Sequence, residues 1–270
     1  MFRIVVLLAV VVGLVLAAAP GASAARMCMG HEATIVGTSG PDVLRGTAGR
    51  DVIVAAAGHD RVFAGGGNDL VCGGRGPDKL TLGDGDDKAR GWRGEDFIKG
   101  RHGNDWIWLG PGDDLIDGAF GGFGKDHLFG GTGSDFLEGN RGDDVHRGGR
   151  GGDLFFDGGS SDDVFRGGLG RDEVDWFGVS SVVANLNSGQ ATGFGNDRLV
   201  SIEDLFGGEG DDTLIGDGAA NLLVGLEGDD HLEGRGGNDR LRGGADTDFL
   251  DGGAGTDDRC RGGETVLNCE

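Results

Sequence analysis

Asp42, Asp51, Asp60, Asp69, Asp78, Asp87, Asp96, Asp105 and Asp114 follow one another at intervals of nine residues. Carboxylates are hard oxygen ligands, and a hard divalent cation takes six to eight oxygens from carboxylates, carbonyls and water. Two positions before each aspartate stands a glycine, from Gly40 to Gly112. A glycine-rich turn bares its carbonyls and accepts φ > 0 without steric cost. Two positions after each aspartate stands a large aliphatic residue, or Ala89 in one case. One turn alone offers too few oxygens, but two turns stacked about 4.8 Å apart could share an ion between them. After Gly118-Ala119-Phe120 the spacing resumes with Asp126, Asp135, Asp144 and Asp153, then, past one inserted residue (Asp157), with Asp163 and Asp172. A second run holds Asp212, Asn221, Asp230, Asp239, Asp248 and Asp257. Every aspartate of the two runs is a candidate metal ligand; Asn221 should weaken one site.

The elements that must position these carboxylates follow from the period. The unit is G-G-x-G-x-D-x-U-x, with U a large apolar residue, and Gly130–Glu138 matches it throughout. A strict nine-residue period means stacked copies of one small unit. The x-U-x triplet suits a short strand with U pointing opposite to its neighbours, and glycine at this density opposes helix by about 1 kcal/mol per residue relative to Ala. The predicted fold is all-β, a solenoid of stacked turn-and-strand units in two blocks. If each unit is half a coil, units n and n+2 stack. Asp42 then faces Asp60, Asp51 faces Asp69, and Leu44, Ile53, Val62, Val71, Leu80, Ile98, Ile107 and Ile116 fill a thin interior. The expected organisation is an N-terminal cap at 25–36, repeats at 37–175, a spacer at 176–206, repeats at 207–259 and a C-terminal cap at 260–270. In the spacer, Val182–Leu186 reads as a strand and Gly193–Leu199 as a degenerate unit.

Composition narrows the function. Arg3, the apolar run Ile4–Ala19 and Ala22-Ser23-Ala24 read as an export signal over residues 1–24. The competing reading is a membrane anchor, but the run is short for a span and no basic cluster follows. The net charge of −22 would become −23 on losing Arg3. Such a chain repels nucleic acid and anionic membranes and attracts cations. With 61 glycines in 270 residues it could bury too little surface to stay ordered, were the period not so strict. Cys28, Cys72, Cys260 and Cys269 suggest disulfides in an exported chain. Three pairings are open; Cys28–Cys72 with Cys260–Cys269 is favoured because it ties down both ends of the array.

The recurring G-G-x-G-x-D-x-U-x resembles the RTX, or haemolysin-type, calcium-binding nonapeptide repeat over roughly residues 37–175 and 207–259. That resemblance implies a parallel β-roll with several Ca²⁺ ions between successive turns, held by the repeat aspartates and by turn carbonyls such as those of Gly65 and Gly67. The export signal, for its part, implies a secreted, extracellular location. The chain departs from many such proteins in its N-terminal export signal and in lacking a segment for a catalytic or toxin domain. A highly charged chain with a thin core is expected to be largely unfolded until calcium binds. His146 and Arg259 at U positions predict poorly packed coils, and Ser161 in place of the fourth-position glycine predicts an irregular turn.

Catalytic patterns are missing from the sequence: there is no H-E-x-x-H, no G-x-S-x-G and no Walker-type loop. An enzyme would need its site in the spacer, which offers Asn185, Asn187, Asp197, Glu203 and Asp204 but no His, Cys or Lys. The expected protein is therefore a binding or structural one. Trp106 and Trp108 flank Ile107, and Phe129 shares the register of Trp108. A row of outward aromatics could meet a polysaccharide or a cell-surface protein, which makes a calcium-stiffened adhesion protein the alternative function.

Overall fold

The computed structural model describes residues 26–117 and 123–270. The expected export segment and the Gly118–Phe120 interruption lie outside the described residues. Each nonapeptide forms one turn and one strand, and alternate units enter two facing sheets, one of 12 strands and one of 15. Within the regular repeats, neighbours in a sheet are parallel and most are 18 residues apart: Val62 lies opposite Leu80 in one sheet and Ile53 opposite Val71 in the other. The architecture is thus an all-β parallel solenoid, and the described residues contain no helix. The apolar U residues explain why it closes. Ile53, Val62, Val71, Leu80, Ile98, Ile107 and Ile116 are all buried, in one continuous core between the sheets. Their strand neighbours point outward, as the two-residue pleat requires.

Two U positions depart from the expectation. His146 does not loosen its coil: it is buried, with its ring 4.8 Å from that of Phe165 and 6.2 Å from that of Phe155. Both imidazole nitrogens are buried without a hydrogen-bond partner, so the cost at this coil is polar rather than one of exposure. Arg259 is exposed and is not a U residue at all. Cys260 occupies that position, opposite Leu241.

The ends are stapled. A small hairpin, Met27–Cys28 paired with His31–Glu32, lies on the outer face of the 15-stranded sheet, where Cys28 is bonded to Cys72 and packs with Val52 and Leu70. Cys260 is bonded to Cys269. The strands Arg259–Arg261 and Thr265–Leu267 extend both sheets, so the segment expected as a C-terminal cap is the last coil of the roll.

Residues 176–206 are woven into the sheets. In the 12-stranded sheet a single strand, Asp204–Phe206, joins Glu173–Asp175 to Leu222–Leu226 without a break. In the other sheet three strands occupy the same interval. Asn196–Val200 pairs with Val164–Leu169, and an antiparallel hairpin (Val183–Asn185 and Gln190–Thr192) bridges to Thr213–Ile215. Trp176, Val179, Val182 and Ile202 fill the interior there.

Candidate metal centres along the turn edges

The turn aspartates form columns, one along each edge of the roll. In the first, Oδ1 of Asp60 accepts a hydrogen bond from the Asp42 amide at 2.8 Å, Oδ1 of Asp78 from Asp60 at 2.9 Å and Oδ1 of Asp96 from Asp78 at 2.9 Å. The same link passes through Asp114, Asp135 and Asp153 to Asp172, whose amide donates to Glu203 at 2.9 Å. The second column runs from Asp51 through Asp69, Asp87, Asp105, Asp126, Asp144 and Asp163 to Asp197. In the second block Asp212, Asp230 and Asp248 lead to Glu264, while Asn221 and Asp239 lead to Asp258. A carboxylate oxygen accepting an amide is a charge-assisted bond, contributing about 1.5–3 kcal/mol.

The second oxygen is the informative one. In Asp60, Asp69, Asp78, Asp87, Asp96, Asp105 and Asp114, in Asp135, Asp144, Asp153 and Asp172, and in Asp230, Asp239 and Asp248, Oδ2 is buried with no hydrogen-bond partner. Burial pushes Asp87 up to about 8 and Asp144 up to about 9, with the neighbouring aspartates of the column adding to it. Leaving a carboxylate both dehydrated and unpaired costs several kcal/mol, and here the same arrangement recurs along both edges. A cation between coils removes that cost. The donors are hard, anionic and oxygen-only, and they lie next to bared turn backbone, which is the ligand chemistry of calcium.

Four turns differ. Oδ2 of Asp42 accepts from the Thr38 amide at 2.6 Å and from the Thr38 hydroxyl at 2.9 Å, and Asp51 is matched in the same way by Thr47. The Gly208 amide closes on Asp212 at 2.6 Å, and the Asp217 amide closes on Asn221 at 2.9 Å. These self-closed turns are the first two of each block. Asn221 also donates its amide to the Glu203 carbonyl at 2.8 Å, a neutral contact in place of a charge. In most other turns the second residue of the unit takes φ > 0, and no amide reaches Oδ2. Gly74 does so at 129°, but so do Ala56 at 89°, Trp92 at 81°, Arg101 at 79°, Leu226 at 89° and Arg235 at 71°. A left-handed side-chain residue costs about 1–2 kcal/mol. Such strain held at one repeated position marks a functional geometry. The fourth-position glycines serve close stacking: a Cβ added to Gly85 would lie 2.7 Å from the Gly67 carbonyl carbon.

Most candidate aspartates stand in the columns, but Asp257 does not. It is exposed and paired with Arg259 at 3.1 Å, while Asp258 is buried and accepts the Asp239 amide. The turn runs to Asp258, one residue longer than a regular unit, which shifts the register and turns the partly buried Cys260 rather than Arg259 toward the core. Sequence reading also missed Asp197, Glu203 and Glu264 as column members. The Gly193–Leu199 near-repeat pointed to Asp197, whereas nothing in the pattern marked the glutamates. Asp204 is an ion-pair partner, held by Nε and Nη2 of Arg171, each at 2.6 Å. Ser161 keeps its turn in contact with the coil before it by accepting the Gly142 amide at 3.2 Å. Trp106, Trp108 and Phe129 do come together on the outer face. Phe129 stacks on Trp108 at 5.5 Å, His127 stacks on Trp106 at 4.1 Å, and Arg90 and Arg147 cover the free faces of Trp108 and Phe129.

A two-sheet solenoid whose edges carry columns of buried, half-satisfied carboxylates defines a class of proteins that hold hard cations between their coils. The family profile described as the RTX calcium-binding nonapeptide repeat matches residues 36–71, 73–98, 93–122, 120–155, 155–174, 202–232 and 224–258. The chain belongs to that family of calcium-binding repeats. No curated protein matches it at a significant level. Among the described residues no helix is long and apolar enough to cross a membrane.

Proposed function

We propose that this is an exported protein whose roll folds as calcium enters between successive glycine/aspartate turns, and that its role is binding and structural rather than catalytic. The row of buried, partnerless Oδ2 atoms carries the reading. Without cations the folded state must dehydrate like charges stacked coil upon coil, in a chain of net charge −22. With cations the same oxygens become ligands, so binding energy becomes folding energy. Extracellular calcium modules bind with dissociation constants of about 0.1–1 mM, which keeps such a chain open where calcium is scarce and closes it outside the cell. The ring faces of Trp108 and Phe129 are taken up by each other and by Arg90 and Arg147, and His127 stacks on Trp106, so we assign that column to the roll's own stability rather than to a polysaccharide or cell-surface partner.

Circular dichroism of the full chain in chelator and in millimolar calcium tests the reading. A coil spectrum that converts to a strand spectrum on adding calcium is expected. Superimposable spectra would refute calcium-driven folding, and calorimetry showing no calcium uptake would refute the function itself.

A further inference from the structure

At the end of the second column, Asp157, Asp163 and Asp197 converge: one carboxylate oxygen of each lies within 4.8 Å of the other two. All three side chains are buried, at 1%, 3% and 3% exposed. Only Asp163 is a repeat aspartate. Asp157 is the residue inserted between two repeats, and Asp197 comes from the spacer.

Asp157 does not behave like a turn aspartate. Its Oδ2 accepts the indole N–H of the fully buried Trp176 at 2.8 Å, and its Oδ1 accepts the Gly159 amide at 3.3 Å. Gly159 holds the second position of its unit, the position whose amide closes the self-closed turns onto their own aspartate. Here the inserted residue takes that amide, and Asp163 is left to face the cluster. Asp197 uses Oδ1 to accept the Asp163 amide at 2.9 Å, while its Oδ2 is buried and without a partner. The groups acting on Asp157 are Asp197, Asp163, the Trp176 indole and the Gly159 amide, none of them cationic. Three ionised carboxylates do not share a dry pocket this small unless a cation or a shared proton joins them.

We propose that Asp157, Asp163 and Asp197 form a dedicated site for a hard divalent cation, calcium above all, which locks the spacer onto the first block. Its make-up differs from that of the repeat sites, with three carboxylates converging on one point. Affinity rises with ligand charge count, so in the folded roll this site holds its ion most tightly. It does not depend on the turn sites: were the repeats to take up no calcium, one equivalent would still bind here. The Trp176 indole is bonded to a ligand oxygen and so reports on occupancy.

Terbium(III), a hard cation with calcium-like oxygen preference, is the probe for the full chain. Exciting tryptophan should give sensitised terbium emission at the first equivalent. Trp176→Phe should remove that emission while calorimetry still counts the first binding step. The double variant Asp157→Asn, Asp197→Asn keeps size and hydrogen-bonding shape and should lose both the emission and the step. Asp87→Asn, a repeat aspartate, should leave both intact. An unchanged first step in the double variant would overturn the proposal. So would a wild-type chain with no early step but a Trp176 fluorescence that titrates with pH in chelator, since Asp157 and Asp197 would then be sharing a proton. Loss of the later steps alone would count against the repeat sites and leave the junction site standing.

Discussion

Each repeat aspartate divides its two oxygens between two tasks. Oδ1 ties its coil to the amide of the coil before it, and Oδ2, on the function proposed here, takes a cation unless a local amide closes it. Asp87→Asn keeps the first function and weakens the second. It should fold in calcium while lowering the bound calcium by one to two equivalents, as measured by calorimetry. Asp51→Asn should leave the stoichiometry unchanged, because the Thr47 amide and hydroxyl already satisfy that oxygen. The same oxygens set a pH dependence. Burial raises Asp96 and Asp230 to about 7, Asp87 to about 8 and Asp144 to about 9, against about 3.9 in an unfolded chain. Folded coils then hold protons more tightly than unfolded ones. The cation-free fold is favoured below about pH 4, and that advantage is lost as pH rises through about 7 to 9. In chelator, strand dichroism should be present near pH 4 and gone near pH 9; the opposite trend would contradict the buried, partnerless state of Oδ2. At this scale the sequence was legible wherever the nine-residue spacing held. It misled at Asp257, because spacing cannot say where an extra residue is absorbed. Only the choice between turning Cys260 and turning Arg259 toward the core settles that.

At the scale of strands and turns, the outer face carries its own reinforcement. Arg90, Trp108, Phe129 and Arg147 lie in register on neighbouring strands of one sheet. Stacked aromatic pairs contribute about 0.5–1.5 kcal/mol beyond burial. Trp108→Ala should therefore lower the stability of the calcium-loaded roll by about 1–3 kcal/mol in urea titration while calcium stoichiometry stays the same. A loss of bound calcium instead would mean that the ladder positions the turns. Removing the Cys28–Cys72 bond, which closes a loop with a sequence separation of 44, should cost about 2–5 kcal/mol. The strands themselves were readable from the alternation around U. The role of position two was not, because a left-handed Trp92 or Arg101 looks in sequence like any exposed residue; only backbone geometry separates open turns from closed ones.

At the scale of the whole molecule, the spacer decides whether there are two bodies or one. The unbroken passage Glu173–Asp175 to Asp204–Phe206 to Leu222–Leu226 carries one sheet straight through it. A one-dimensional array melts as a unit when neighbouring interfaces are stronger than the units themselves. Calorimetry in calcium should accordingly show a single transition. Two resolved peaks would show that the blocks melt independently. The sequence suggested an interruption here because the spacing vanishes. It could not show that the hairpin Val183–Thr192 supplies extra strands to one sheet while the other continues.

The closed turns at the head of each block bear on how the spiral is started. In a one-dimensional assembly the first turn is the unfavourable step and later ones add cheaply to an existing template. Coils that close with a threonine or a backbone amide need no ion, so, on the calcium-driven folding proposed here, each block is expected to start from its first two coils and wind toward its C-terminal end. Pulse-labelled hydrogen exchange after calcium addition should find protection spreading from about residue 40 and about residue 210 in the C-terminal direction. Protection beginning at the far ends would show that growth has no such polarity.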